Sequence, residues 1–254
     1  MKSYLNRKQI AKIREQFSAI DGMADRLVLR YVAFPFKNPQ AREYAQHGFA
    51  RRVGTLRRCI KNVFKIVPPG TVKVPVKTKL NDAQINLQAF IANAYGSIDN
   101  LAWVWVHERG LTDQISRARV GFRTHHIEVR ASLSPEFQSY LQGLDVWLAY
   151  IIEYRDSLAH RIPLYIPPGG VRPKDIREYN NLMDAINGAL NRLDPREYDR
   201  LSSEQSKLLV FQPLMTHSIN ETTAHYAFHV QMIADFMTVE ELGQKMLLEL
   251  GRSA

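Results

Sequence analysis

The stretch IIEYRDSLAHRIP places a guanidinium (Arg155), a carboxylate (Asp156) and an imidazole (His160) close together, just ahead of Pro163. These groups suit cleavage of RNA without a metal. In that reaction a ribose 2′-hydroxyl attacks the neighbouring phosphate, one group handles the proton, and a cation stabilises the charge gathering on phosphorus. Histidine titrates near neutrality and fits the proton task; planar, permanently charged arginine fits the second. Asp156 would orient either partner.

Position sharpens this reading. Phe137, Leu141, Leu144, Leu148 and Ile151 recur at spacings of four and three, and Arg155 is the next member of that seam. A cation directed at the core needs either a paired carboxylate or a chemical use. Asp99, in the apolar run Ser97-Ile98-Asp99-Asn100-Leu101, is the natural candidate, the alternative being an exposed Asp99. His160 lies about 140° further round an ideal helix from Arg155, so it reaches the same cavity only if the last turn loosens before Pro163. The competing structural reading has Arg155 paired with a buried acid and His160 capping the carbonyls of its own helix.

A second set lies near the C-terminus, where His217, Glu221, His225 and His229 recur every four residues. Neighbours at this spacing share a helix face, and Glu221, His225 and His229 would suit zinc, iron or manganese. His217 precedes the expected helix start, and no Glu-x-x-His partner stands on another helix, so a polar histidine face is the competing reading. No cofactor is expected. Gly-rich phosphate loops, Gly-x-Ser-x-Gly, Cys/His zinc patterns and His-Glu-x-x-His are all missing from the sequence. The one cysteine, Cys59, beside an apolar seam, reads as structural.

The elements that must position these groups are mostly helices. Patterns are predicted over residues 3 to 32, 40 to 67, 81 to 109, 134 to 160 or 162, 173 to 193, and 220 to 251 with a restart at the Thr238 capping box. VKVPVKTK, with Pro75, reads as an edge strand or loop, HIEVRASL as a possible short strand, and LLVFQPLM as extended. The motif helix opens on Ser134-Pro135 and is apolar on most sides, which predicts a place at the bundle centre. The fold class expected is all-α: about five to six long helices with small extended or β appendages.

Charge divides the chain unevenly. Residues 1 to 80 carry 18 Lys+Arg against 4 Asp+Glu (+14); the remaining residues carry 16 against 21 (−5), which together make the net +9. This imbalance points to an anionic partner, nucleic acid first. On the second helical pattern Phe49, Val53, Leu56, Ile60, Val63 and Val67 form one stripe, with Arg51, Arg58, Lys61 and Lys65 opposite as backbone-neutralising candidates or as an ordinary solvated face. Tyr44 and the Phe34/Phe36 pair could stack on bases, and His125-His126 could contact phosphate or lie in a surface loop. No run of about 18 uncharged apolar residues occurs and the start is charged, so a cytoplasmic protein without membrane partners is expected.

Arg-polar-x3-His at the C-terminal end of a bundle helix resembles the signature of the HEPN superfamily, helical proteins of which many are metal-independent ribonucleases. The resemblance covers the motif and its helical context. It implies that Arg155 and His160 are a catalytic pair, with Asp156 at a position where the family commonly has asparagine. It also implies a homodimer whose two motifs face one cleft. The resulting expectation is a basic helical region over 1–80 and a HEPN-like bundle over 81–254, forming one unit. Its function would be RNA binding or metal-independent endoribonuclease action, of a defence or toxin type with a possible protein antitoxin. The alternatives are a non-catalytic helical interaction module and a metal-binding helical bundle.

Overall fold

An asparagine starts the first helix. The Asn6 side chain accepts from the Gln9 amide while Gln9 reaches back to the Asn6 amide, closing a capping box at the head of α1 (Arg7–Ala33). In this computed structural model, which describes residues 3–218 and 224–252, α1 buries Ile13, Ile20, Ala24, Leu27 and Tyr31. Tyr31 donates to the Gly243 carbonyl at 2.8 Å, tying α1 to the last helix.

Asn38 caps α2 (Pro39–Glu43), with proline at its first position. The chain continues through a single π-helical stretch, Tyr44–Phe49, into α3 (Ala50–Ile66). One helix was expected over this region, and the π turn interrupts it. The apolar stripe from Phe49 to Val67 is buried throughout. Pro68 and Pro69 follow, lacking the amides that further turns would need.

The long α4 (Lys77–Glu108) begins earlier than the Asn81/Asp82 cap suggested, so Lys77 to Lys79 are helical rather than part of an extended stretch. Its seam Leu87, Ile91, Ala94, Ile98, Leu101 and Trp105 is buried, and Gly110, at φ 64°, follows its end. HIEVRASL holds a short helix, α5 (Ile127–Ala131), not a strand.

The motif helix is two helices. Ser134 caps α6 (Pro135–Gly143), and after Leu144 the chain restarts as α7 (Asp145–His160). α7 lies against α4 on the flank of the bundle instead of at its centre; Val146 is 86% exposed. The centre belongs to α4 and α10 (Phe228–Gly251), which pack with α1 and α3. α10 does not restart at Thr238: that hydroxyl donates to the Ala234 carbonyl within an unbroken helix. Buried side chains on both faces hold the segment together, so burial overrides the local cap signal.

One apolar cluster runs from Leu5 to Leu250. A smaller one, Ile186, Ala189 and Leu201, joins α8 (Ile176–Asn191) to α9 (Pro195–Ser206). Short antiparallel pairs clasp the base of that hairpin and the entry to α10: β1 (Gly170–Val171) with β2 (Leu209–Val210), and β3 (Leu214–Met215) with β4 (Tyr226–Ala227). The protein is an all-α bundle with small β appendages. Among the described residues, no helix is long and apolar enough to cross a membrane.

Candidate functional site

Four side chains recur every fourth residue along one margin of α4: Tyr95, Asp99, Trp103 and His107. Steps of four drift only about 40° per turn, so they form a continuous stripe. Cations from three other segments meet its first half. Arg155 of α7 lies over the Tyr95 ring at 4.8 Å from its centroid. Arg123, from the loop after α4, lies 5.5 Å from the same centroid and donates to the Tyr95 hydroxyl at 3.0 Å. Arg52 of α3 donates to Asn100 at 2.8 Å and to Asn93 at 3.1 Å, its guanidinium packed where any side chain at Gly96 would collide.

Asp99 is the acid within this group. Burial raises its pKa, against the lowering pull of Arg123, Arg155, the Tyr95 hydrogen bond and Arg52. Arg155 therefore attracts Asp99 as one of several cations, and the close ion pair of Arg155 is with its neighbour Asp156, at 2.8 Å. In place of the Arg155–Asp99 ion pair expected from the sequence stands a looser attraction that Asp99 shares among Arg123, Arg155 and Arg52.

Nor is Arg155 a fully buried member of the apolar seam; its side chain is 38% exposed. Inside α7 the inward positions are Leu148, Ile151, Tyr154 and Ser157, a spacing of three that turns the buried face away from residue 155. Tyr154, placed outside the seam on sequence, is 1% exposed and donates to the Ala224 carbonyl. His160 is the exposed last residue of α7. The helix stays intact through His160, with the Arg161 amide donating to the Ser157 carbonyl, so the loosened last turn is not observed and about 140° of rotation separates Arg155 from His160. The fold thus gathers Arg155, Asp156 and Asp99 and leaves His160 to one side.

The basic face of α3 is exposed as expected but serves different surroundings. Lys61 is paired with Asp21 of α1 at 2.9 Å and, with Arg58, Lys65, Arg14 and Phe17, lines a groove of about 450 Å³. Arg51 faces another hollow, of about 620 Å³, lined by Tyr44, Gly48, Asn100, Trp103, His107 and Arg117 among others. His126 is buried in its loop, accepting from the Arg123 amide, and burial followed by the charges of His125, Arg123 and Arg130 pushes its pKa down to about 4. Cys59 is buried and its thiol is pushed up to about 11, so little of it is thiolate at neutral pH.

The histidine set near the C-terminus is dispersed. Glu221 lies outside the described residues. His225 is exposed ahead of α10, whereas His229 is fully buried, donating from Nε2 to the Val67 carbonyl at 2.6 Å. Burial pushes the His229 pKa down to about 4. His217 is buried beside Tyr154, with Nε2 3.3 Å from Glu153. Among the described residues no three His, Cys, Asp or Glu side chains are grouped to hold a metal ion.

Arg52, Tyr95, Trp103, His107 and Arg123 were not singled out as site residues from sequence. The four-residue recurrence on α4 was the available signal, but all four of its members stand just outside the counted apolar seam. No protein-family model matches the chain, and no match was found among curated proteins or solved structures.

Proposed function

We propose that this chain binds single-stranded RNA and cleaves it without metal, as a HEPN-like endoribonuclease. In this reading the 2′-oxygen attacks phosphorus, the bond from phosphorus to the 5′-oxygen breaks, and a 2′,3′-cyclic phosphate and a 5′-hydroxyl result. Arg155 stabilises the phosphorane-like charge, and His160 takes the 2′ proton or gives one to the leaving oxygen. A homodimer facing its two motifs would supply a second copy of each group. The observation that carries the reading is the Arg155 guanidinium, fixed against Tyr95 yet solvent-reachable, on the same helix as an exposed imidazole.

Arg155→Ala and His160→Ala are each expected to lower RNA cleavage in EDTA by a hundredfold or more, by the usual scale of such groups, with unchanged circular dichroism. A second reading, a non-catalytic interaction module, is favoured by the Arg155–Asp156 ion pair and the angular separation of His160. It is the correct one if the wild-type chain leaves RNA intact and Arg155→Ala acts chiefly on the melting temperature. The defence or toxin role and a protein antitoxin belong to the same proposal and are tested by whether expression halts growth in a manner that depends on Arg155.

A further inference from the structure

The second half of the α4 stripe ends in a hollow that the proposed chemistry does not use. The Tyr44 and Trp103 rings stack at 5.7 Å between centroids and 26° between planes, and both approach His107, at 5.2 and 5.3 Å. Tyr44 and Trp103 are half-buried. His107 is only 9% exposed, and its Nδ1 has no hydrogen-bond partner among the described residues. Burial lowers the His107 pKa, which favours the uncharged ring. Arg51 and Arg117 stand exposed at the rim, with Glu43 and His47 beside them.

The backbone is shaped to open this space. Tyr44 begins the π-helical turn, and four residues on, Gly48 lets the Asn100 side chain approach to about where a Cβ would stand 2.9 Å from it. Arg52 fixes Asn100 from the other side. The hollow, at about 620 Å³, is within the usual range for a small organic ligand. Aromatic faces with flanking arginines suit a flat heterocycle attached to a phosphate.

We propose that this hollow is a base-stacking subsite for one unpaired nucleotide of a single-stranded RNA, its base on Trp103 and Tyr44 and its phosphate at Arg51 and Arg117. Tyr95, beside Arg155, precedes Trp103 by eight residues, about 12 Å along the helix axis. One strand can therefore run from the cation cluster to the hollow. The inference rests on the reading of the chain as an RNA-acting protein but concerns how a strand is held, not how it is cut.

The test uses the full chain in EDTA with a short fluorescein-labelled RNA whose 2′-oxygens are methylated, so that it binds without being cleaved. Anisotropy should show the single strand bound more tightly than the same sequence as a duplex, because stacking needs an unpaired base. Trp103→Leu should weaken binding roughly tenfold or more, and Trp103→Phe far less. Arg51→Glu and Arg117→Glu, at exposed positions that folding tolerates, should weaken binding and flatten its dependence on salt.

The proposal is overturned if neither glutamate variant changes affinity, if duplex and single strand bind alike, or if no RNA binds. It is also overturned if AMP competes as well as the strand does, since the hollow would then be a site for free nucleotides. Loss of cleavage in Arg155→Ala with binding indifferent to Trp103, Arg51 and Arg117 removes the subsite and keeps the nuclease. Trp103-dependent binding by a chain that never cuts does the reverse.

Discussion

Helices α4 and α10 both run through the middle of the bundle and both carry polar groups inward, but they close those groups in opposite ways. On α10 the partners are mainly neutral, Arg252 at 3.9 Å from Glu249 being a charged addition. His229 donates to the Val67 carbonyl; Asp235 accepts from Trp147 at 2.9 Å, Tyr150 at 3.2 Å and Gln231 at 2.8 Å; Glu249 accepts from the amide and hydroxyl of Ser134. On α4, Asp99 is shared among Arg52, Arg123 and Arg155, the last half-open to solvent. Matched donors and acceptors hold architecture together. A surplus of cations at an accessible edge keeps attraction available for an incoming anion.

The sharpest way to break this contrast is to unseat a closed partner. Asp235→Ala leaves three donors without their acceptor and should cost about 3 kcal/mol or more, measured by urea unfolding. Arg123→Ala, at the shared cluster, should cost no more than about 1 kcal/mol in the same assay while weakening RNA binding, because Asp99 keeps two other cations. Equal losses in the two variants would erase the distinction.

Acidity separates the α10 groups more finely. Burial pushes the Asp235 pKa up to about 6, so folding takes up a proton there, and its contribution to stability falls as pH rises from about 4 to 6. His229 is pushed down to about 4, so its contribution is lost as pH falls from about 6.5 toward 4. The two slopes oppose one another, each about 1.4 kcal/mol per pH unit. Unfolding free energies across that window should show Asp235→Asn gaining on the wild type as pH rises, and His229→Gln losing ground over the same range. Parallel curves for all three proteins would refute the assignment. The smallest effect is expected away from both helices, where Leu193 holds φ at 53° and is almost fully exposed: Leu193→Asn should raise stability by about 0.5 kcal/mol in thermal melts.

Much of the bundle was legible because burial leaves a period. The stripes on α3 and α4 and the Ser134-Pro135 start of α6 follow directly from spacing and cap chemistry. The break at Gly143–Leu144 was hidden because apolar residues continue in register across it. α9 escaped notice because it buries only Leu201, although Asp194 and Pro195 spell an N-terminus. At the site, the residue types of the motif were visible, but direction was not: whether residue 154 or 155 faces inward depends on how α7 rolls against α4. Likewise, spacing of four placed His225 and His229 together, whereas α10 begins between them and turns only His229 into the core.

The π turn between α2 and α3 has a consequence for how this chain can change length. One residue more than an α turn requires shifts all that follows by about 100°. Ala41 and Ala45 on one side and Phe49, Val53 and Leu56 on the other are all buried, so both faces are already committed. Removing a single residue from Tyr44–Phe49 would restore an ordinary helix and rotate one of those faces into water. The segment therefore acts as a length gauge: the number of residues here is held as firmly as the small Gly48 and the buried Phe49.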